Sequence, residues 1–211
     1  MQNTDYYSFD RKEIFPFIPE NVERTLDVGC AAGIFSNKLK KERNPETWGI
    51  EMQKEAAEIA KTRLDKVLIG SFDEVADALP KEYFDCVFFN DVLEHMPYPE
   101  TCLTKIKANI HPKGKIIASI PNMRHIAVLR ELLFQKDWEY KDSGILDRTH
   151  LRFFTKKSII RMFKDCGYKI DLIKGINSVS PFCLTSILSK LSLNSLDDIK
   201  HKQFIIVASP I

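Results

Sequence analysis

The stretch of sequence that decides the fold is Thr25-Leu26-Asp27-Val28-Gly29-Cys30-Ala31-Ala32-Gly33-Ile34-Phe35-Ser36-Asn37-Lys38-Leu39. Residues 25–28 have the apolar composition of a buried strand, and Gly29 breaks this strand into a turn of small residues. A helix is predicted to begin near Gly33, because Phe35 and Leu39 lie one turn apart on one face. Gly29 lets the backbone come close to a ligand, and the helix N-terminus offers unpaired N–H groups. The stretch therefore predicts a turn that cradles a nucleotide or, alternatively, a strand-turn-helix that only packs.

The turn departs from the dinucleotide fingerprint G-x-G-x-x-G/A. Ala31 stands where the second glycine would approach a pyrophosphate. The sequence also lacks an obvious pair of residues for hydride transfer. An NAD-linked oxidoreductase is therefore disfavoured.

Length and charge bound the class of protein. The chain has 211 residues, which suits a single α/β domain over 1–211 better than two domains. Its net charge is +2, with both signs interleaved, so nothing indicates nucleic acid and a small or neutral substrate is expected. No leader pattern and no apolar segment of membrane-spanning length is present, which predicts a soluble cytoplasmic protein without a membrane span.

The cysteines argue against a disulfide framework and against a zinc site. They are odd in number, widely spread and never in C-x-x-C spacing, which predicts reduced, mostly buried thiols. The five are Cys30, Cys86, Cys102, Cys166 and Cys183.

The rest of the chain alternates predicted strands with predicted helices. Strands are predicted at 25–28, 47–51, 66–70, 83–90 and 115–120, with a terminal hairpin at 168–174 and 203–209. Helical segments are predicted at 11–15, 54–64, 73–79, 100–109 and from Thr155 to Gly167. Apolar strands alternating with helices predict an α/β fold with a doubly wound, mainly parallel, Rossmann-like sheet. Residues 1–22 form a lead-in, and 121–155 and 175–202 are predicted to be insertions that cover the substrate.

Polar groups follow the predicted strands at the edge where such sheets bind ligands. Glu51 lies eighteen residues after Gly33, which suits a carboxylate that accepts hydrogen bonds from ribose hydroxyls; the alternative is an exposed carboxylate at the end of the strand. Asp73 can accept from an adenine amino group beside Phe72, or it can be a plain helix N-cap. The fourth strand runs into Asn90, Asp91 and His95.

In this order, the motifs resemble those of class I S-adenosylmethionine-dependent methyltransferases. They are Asp27-x-Gly29-Cys30-x-x-Gly33, Glu51, Gly70-Ser71-Phe72-Asp73, Phe84-Asp85 leading into Leu93-Glu94-His95, and Pro112-x-Gly114. Ile120-Pro121-Asn122 with His125, followed by 144–155, resembles the subgroup associated with surface-polysaccharide and glycan biosynthesis.

The resemblance implies a seven-stranded sheet whose last strand is antiparallel, with S-adenosylmethionine as the cofactor. Residues 27–33, which include Asp27, Gly29, Cys30, Ala31 and Gly33, would pack along the methionine part, and Glu51 would hold the ribose. Met52 and Phe72 would flank adenine, with Asp73 beside it and with Ser71 where an aspartate is common. Asn90 and Asp91 would lie below the sulfonium.

Methyl transfer to a hydroxyl requires alignment of the acceptor and removal of its proton. His95 is the first candidate base, because it follows the fourth strand next to the expected methyl group; alternatively it holds the turn at 91–94. His150 and His125 are second candidates, with bracing of loops as their alternative role.

Asp91, Glu94 and His95 have the spacing i, i+3, i+4, which on a helical turn points all three side chains the same way. Together with one more histidine they could bind Mg²⁺ or another divalent ion. The set is similar to the E-x-x-E-H arrangement of metal-assisted small-RNA and ubiquinone-precursor O-methyltransferases, with Asp91 in place of the first glutamate. A hydrogen-bonded turn without metal is the favoured interpretation, so no metal ligand is assigned.

The predicted function is S-adenosylmethionine-dependent O-methylation of a small-molecule or sugar-containing (glycan-type) acceptor. The alternatives are a non-catalytic cofactor-binding subunit and a metal-assisted O-methyltransferase acting on RNA or a quinone precursor. The apolar segment 184–193 predicts core packing, a cap over the substrate, or the contact of a homodimer.

Overall fold

The computed structural model describes residues 11–179 and 196–211, and its centre is one seven-stranded sheet with the order β3-β2-β1-β4-β5-β7-β6. The strands are β1 (Arg24–Val28), β2 (Glu46–Glu51), β3 (Lys66–Ile69), β4 (Phe84–Asn90), β5 (Ile110–Pro121), β6 (Tyr168–Ser178) and β7 (His201–Pro210). Neighbours among β1 to β5 pair in parallel, whereas β7 is antiparallel to both β5 and β6. The predicted mainly parallel sheet with an antiparallel last strand is confirmed.

Helices connect the strands. They are α1 (Ile34–Arg43), α2 (Lys54–Lys61), α3 (Phe72–Val75), α4 (Pro99–Ile106), α5 (Ile126–Arg130) and α6 (Lys156–Asp165). Three predicted helices are partly or wholly 3₁₀. The prediction at 73–79 becomes α3 followed by a 3₁₀ turn at Ala76–Ala78, and the prediction at 100–109 becomes α4 followed by a 3₁₀ turn at Lys107–Asn109. The N-terminal prediction becomes a 3₁₀ segment at Lys12–Phe17. Pro16 lies inside this N-terminal segment and lacks the N–H that an α-helix would use. At α6, Thr155 is the predicted N-cap, and its hydroxyl accepts a hydrogen bond from the Ser158 amide.

The turn between β1 and α1 has the conformation that small residues permit. Gly29 and Gly33 both have φ of 72°, and Ala31 has φ of 48°. A Cβ atom added to Gly29 would lie 2.6 Å from Cγ2 of Val92, so the backbone passes closer to its neighbour than a side chain would allow. Beyond Gly33, Phe35 and Leu39 are buried on the inner face of α1, as predicted.

The core lies on both faces of the sheet, as successive residues of β4 show. Val87 and Phe89 belong to one apolar cluster, while Cys86 and Phe88 belong to another. Because neighbouring side chains of a strand point to opposite faces, both faces of the sheet are covered. This arrangement leaves the strand ends as the place where the protein can hold a polar ligand.

The long excursion at 121–155 returns to the sheet edge after β4. Residues 122 and 154 form a bridge, and the amides of Leu151 and Arg152 donate to the carbonyl of Glu94. This contact carries the segment around Asp147 to the carboxyl end of the sheet.

Several further predictions concern particular segments. The prediction for 184–193, most of the predicted insertion at 175–202, and Cys183 lie outside the described residues. Cys30, Cys86, Cys102 and Cys166 are free and buried. In the described ranges, no helix is both long and apolar enough to cross a membrane.

Candidate active site

A cleft of about 730 Å³ opens at the carboxyl ends of β1, β2 and β4. It lies between β1 and β4, where the strand order reverses, which is the usual ligand site of an open α/β sheet. Twelve of the predicted site residues line it: Asp27, Gly29, Cys30, Ala31, Glu51, Met52, Ser71, Phe72, Asp73, Asn90, Asp91 and His95. Gly33 instead caps α1, and His150 lies behind the wall of the cleft next to Glu94.

Glu51 joins the end of β2 to the turn after β1. Its Oε2 accepts a hydrogen bond from the Ala31 amide and its Oε1 accepts one from the Gln53 amide, each at 2.8 Å. The residue is only 7% exposed, so the alternative of an exposed strand-end carboxylate is wrong. Each carboxylate oxygen has a second lone pair, which leaves Glu51 able to accept from a ligand hydroxyl as well.

Asp27 and Asn90 bring unsatisfied polar atoms to the cleft. Oδ2 of Asp27 accepts a hydrogen bond from the Ser36 hydroxyl at 2.9 Å, but Oδ1 has no partner within the described part of the chain. The same holds for both polar side-chain atoms of Asn90. Burial raises the pKa of Asp27 to about 7, and the negative charge of Glu51 adds to this, against the opposing effect of Ser36. Buried polar atoms without partners are rare in native proteins and here indicate a site for a polar ligand.

Asp91 is held at the base of the cleft by three side chains. Arg11 lies 2.5 Å from its Oδ2, the Ser119 hydroxyl donates to Oδ1 at 2.7 Å, and the Gln203 amide donates to both oxygens at 2.9 Å. Arg11 itself lines the cleft. Sequence reasoning missed this arginine, because its partner lies far away in the chain and no local pattern links them.

Met52 and Phe72, which line the cleft near the ends of β2 and β3, differ in exposure. Met52 is 66% exposed, whereas Phe72 is 5% exposed. Ser71 is the N-cap of α3, and its amide and hydroxyl both donate to Glu74. The N-cap alternative for Asp73 is therefore wrong; this residue lies in the first turn and pairs with Lys105.

The wall nearest His95 comes from the excursion at 121–155. Nδ1 of His95 lies 3.2 Å from both the carbonyl and the hydroxyl oxygen of Thr149. Asp147, Arg148 and Thr149 line the cleft here, and sequence reasoning did not single out any of them as site residues. His125 lies elsewhere, as the N-cap of α5, where its ring accepts from the Ala127 amide at 3.4 Å.

The predicted grouping of Asp91, Glu94 and His95 needs a correction. The segment Leu93–His95 is a single 3₁₀ turn rather than an α-helical one, and Asp91 before it has φ of 55°. Asp91 therefore faces Arg11, while Glu94 and His95 come together with His150.

Comparison with known proteins agrees with this architecture. A family profile described as a methyltransferase domain matches residues 3–173. The ubiquinone biosynthesis O-methyltransferase of Aeromonas salmonicida is 28% identical over 163 residues, which is 74% of this chain and 66% of that protein. The Vibrio atlanticus enzyme of the same name is 31% identical over 66% of this chain and 60% of its own length, so the chain spans about two thirds of these relatives or less.

Solved structures show the same fold. A S-adenosylmethionine-dependent methyltransferase from Archaeoglobus fulgidus superposes with a TM-score of 0.70 at 18% identity, covering 93% of this chain and 91% of that one. A possible histamine N-methyltransferase from Thermotoga maritima gives a TM-score of 0.68 at 19% identity, covering 97% and 89%.

The chain belongs to the methyltransferase-domain family, and its assignment to the class I S-adenosylmethionine-dependent methyltransferases is confirmed. The cofactor that this family implies is S-adenosylmethionine. The cleft fits such a molecule, because it offers acceptors for its ammonium and hydroxyl groups at Asp27 and Glu51. It also contains a turn at Gly29 that a side chain would obstruct, and unsatisfied atoms at Asn90.

Proposed function

We propose that this chain transfers the methyl group of S-adenosylmethionine to a hydroxyl oxygen of a small-molecule or sugar-containing acceptor. The observation that carries the proposal is one continuous cleft that runs from Met52 and Phe72, past the turn at Gly29, to His95 and Thr149. The residues that we assign to cofactor binding lie at one end of this cleft, and the imidazole of His95 lies at the other. The names of the relatives from Aeromonas salmonicida and Vibrio atlanticus support oxygen as the methyl acceptor.

The polar groups of the cleft suggest an orientation for the cofactor. Glu51 accepts hydrogen bonds from the two ribose hydroxyls through its remaining lone pairs, and Phe72 with Met52 contacts adenine near Ser71 and Asp73. The methionine part lies along 27–33, where the Asp27 carboxylate receives its ammonium group. Arg11 is a cation at the cleft wall and would bind the methionine carboxylate.

The reaction at the other end is an in-line displacement. The acceptor oxygen attacks the methyl carbon, the bond between sulfur and methyl breaks, and the neutral thioether leaves. Asn90 and Asp91 line the part of the cleft where the sulfonium would lie, and the acceptor would approach between His95 and the wall at 147–149. We assign assistance in the loss of the acceptor proton to His95, which reaches the cleft, and to His150 behind it. The wall residues Asp147, Arg148 and Thr149 select the acceptor.

The proposal is tested in two stages. Calorimetric titration with S-adenosylhomocysteine measures cofactor binding, and incubation with S-adenosylmethionine and a panel of catechols and monosaccharides, followed by mass spectrometry, measures transfer. We expect saturable 1:1 binding and a methyl ether product.

Two outcomes would contradict the proposal at different levels. Absence of binding by the folded protein would refute the cofactor assignment. Binding without any methylated product across the panel would favour the non-catalytic cofactor-binding subunit, and a product methylated on nitrogen or carbon would refute the choice of oxygen.

A further inference from the structure

Two segments of the chain supply the end of the cleft near His95, and they differ in chemistry. The turn after β4 contributes an apolar surface that ends in Tyr98, whose ring side chain is 70% exposed. The excursion at 121–155 contributes charged and polar side chains: Asp142, Asp147, Arg148 and Thr149. An acceptor that binds here therefore meets both a ring surface and charged groups.

Hydrogen bonds hold these two segments in place. Nε of Arg152, in the excursion, donates to the carbonyl of Pro97 in the turn at 3.0 Å. The amide of Arg148 donates to the carbonyl of Lys141 at 2.9 Å, and residues 141 and 147 form a bridge. The backbone that carries Arg148 is thus fixed relative to the cleft before any acceptor binds.

The guanidinium of Arg148 is paired with an exposed carboxylate. Its Nη2 lies 2.8 Å from Oδ1 of Asp142, and the two side chains are 61% and 91% exposed. An ion pair this exposed contributes little to stability, because water competes with each partner for the other. A group with the same charge as Asp142, carried by a bound acceptor, can therefore replace it. The pair also shows which chemistry the position accepts, namely a carboxylate oxygen.

Other charged groups of the cleft are more firmly engaged. Arg11 lies 2.5 Å from Oδ2 of Asp91, with side chains that are only 20% and 15% exposed. Oδ1 of Asp147 accepts hydrogen bonds from the amide and the hydroxyl of Thr149, at 2.8 and 2.6 Å. Of the two arginines that line the described part of the cleft, Arg148 is therefore the one that an acceptor can engage.

We infer that Arg148 determines acceptor specificity, and that the acceptor is a hydroxylated compound with an anionic group, a carboxylate or a phosphate, which replaces Asp142 on the guanidinium. This inference rests on the proposed function, since it places the hydroxyl to be methylated at His95. Arginine suits either anion, because its planar guanidinium donates two parallel hydrogen bonds to two oxygens. Thr149 follows Arg148 directly and its hydroxyl lies 3.2 Å from Nδ1 of His95, so one small molecule can reach both groups.

Asp142 gives the inference a second, opposite consequence. A neutral acceptor binds beside the pair of Asp142 and Arg148 and gains nothing from it, whereas an anionic acceptor has to displace the Asp142 carboxylate. Removal of the Asp142 charge should therefore favour anionic acceptors, while removal of the Arg148 charge should disfavour them. A purely structural role of either residue would not separate charged from neutral acceptors in this way.

The test compares matched acceptors that differ in one charged group. The pairs are catechol with 3,4-dihydroxybenzoate, glucose with glucuronate, and glucose with glucose 6-phosphate. Transfer from S-adenosylmethionine is followed by mass spectrometry, and kcat/KM is measured for each compound. We expect the charged member of at least one pair to be preferred at least about tenfold. The pair that responds distinguishes a carboxylate from a phosphate.

Variants of the full chain then assign this preference to a residue. Arg148→Gln should reduce it about tenfold or more through a loss confined to the charged member, and Arg148→Lys should restore part of it. Asp142→Asn should raise kcat/KM for the charged member about two- to fivefold. Arg161→Gln, at an exposed position on α6, is the matched control and should leave the preference unchanged. Thermal unfolding establishes that each variant is folded.

Binding is measured independently of transfer. The compounds 3,4-dihydroxybenzoate and glucose 6-phosphate are titrated by calorimetry into the protein in the presence of excess S-adenosylhomocysteine. Equal kcat/KM within every pair would overturn the inference, as would an unchanged preference in folded Arg148→Gln. If neither compound binds, or if both bind Arg148→Gln as tightly as the unchanged protein, the inference is also overturned. If binding depends on Arg148 but no methyl ether forms from any acceptor, the proposed function fails and the anion site stands.

Discussion

Substitution of Asp27 by asparagine should change how the stability of the protein depends on pH. Burial raises the pKa of this carboxyl from 3.8 to about 7, so the native protein keeps a proton that the unfolded chain releases. The free energy of unfolding therefore falls as pH rises from about 4 to about 7 and becomes constant above that window. One pKa unit corresponds to 1.36 kcal/mol, so the shift of the Asp27 pKa lowers the free energy of unfolding by about 4 kcal/mol in total. About 2 to 3 kcal/mol of this loss occurs between pH 5 and 8.

Asp27→Asn removes this titration while keeping an oxygen that can accept from the Ser36 hydroxyl. Urea unfolding followed by circular dichroism at pH 5, 6, 7 and 8 gives the free energy of unfolding of both proteins. The difference, variant minus unchanged protein, should rise by about 2 to 3 kcal/mol across this range. Taking the difference cancels the other groups that titrate, such as His125 and His201, whose pKa values burial lowers.

A difference that stays constant from pH 5 to 8 would refute the reasoning, because Asp27 would then be ionised in the native protein. Ser36→Ala supplies an independent check. Its hydroxyl lowers the pKa of Asp27, so its removal should extend the loss of stability to higher pH.

Further predictions concern the cofactor end of the cleft. Glu51→Gln should weaken S-adenosylhomocysteine binding, measured by calorimetry, at least about tenfold, which is about 1.4 kcal/mol. Glu58→Gln, at an exposed position, is the control. If Glu51→Gln binds as tightly as the unchanged protein, Glu51 does not hold the ribose. Gly29→Ala should lower the free energy of unfolding, measured in urea, by about 2 to 3 kcal/mol, because φ is positive and the new Cβ would contact Val92. Adding Val92→Ala to this variant should recover only the share of the loss that comes from the contact. Full recovery would show that the positive φ causes no strain. Arg11→Gln should raise the Kd for S-adenosylhomocysteine about tenfold, whereas Lys169→Gln, at an exposed position, should leave it unchanged. An unchanged Kd in Arg11→Gln would show that Arg11 does not contact the cofactor.

The sequence by itself determined the succession of strands and helices along the chain and most of the residues that line the cleft from Glu51 to Asp91. Strand and helix periods are local properties, and Gly29, Gly33 and Thr155 act within a few residues of their own position. Glu51 could also be predicted, because a strand-turn-helix-strand unit of ordinary length brings the end of β2 next to the end of β1. Features that depend on residues close together in the sequence can therefore be predicted from the sequence alone.

Only the tertiary structure decided which side chains meet at the end of the cleft near His95. The spacing of Asp91, Glu94 and His95 predicted one shared face, but the positive φ at Asp91 and the 3₁₀ turn after it separate Asp91 from the other two. Arg11 reaches Asp91, and His150 reaches Glu94, across distances in the chain that no local pattern spans. Which histidine joins the site depends on how the excursion at 121–155 packs against the turn after β4. That packing rests on contacts between residues far apart in the chain, namely the apolar cluster of Val128, Ile145 and Leu146 and the hydrogen bonds from the amides of residues 151 and 152 to the Glu94 carbonyl.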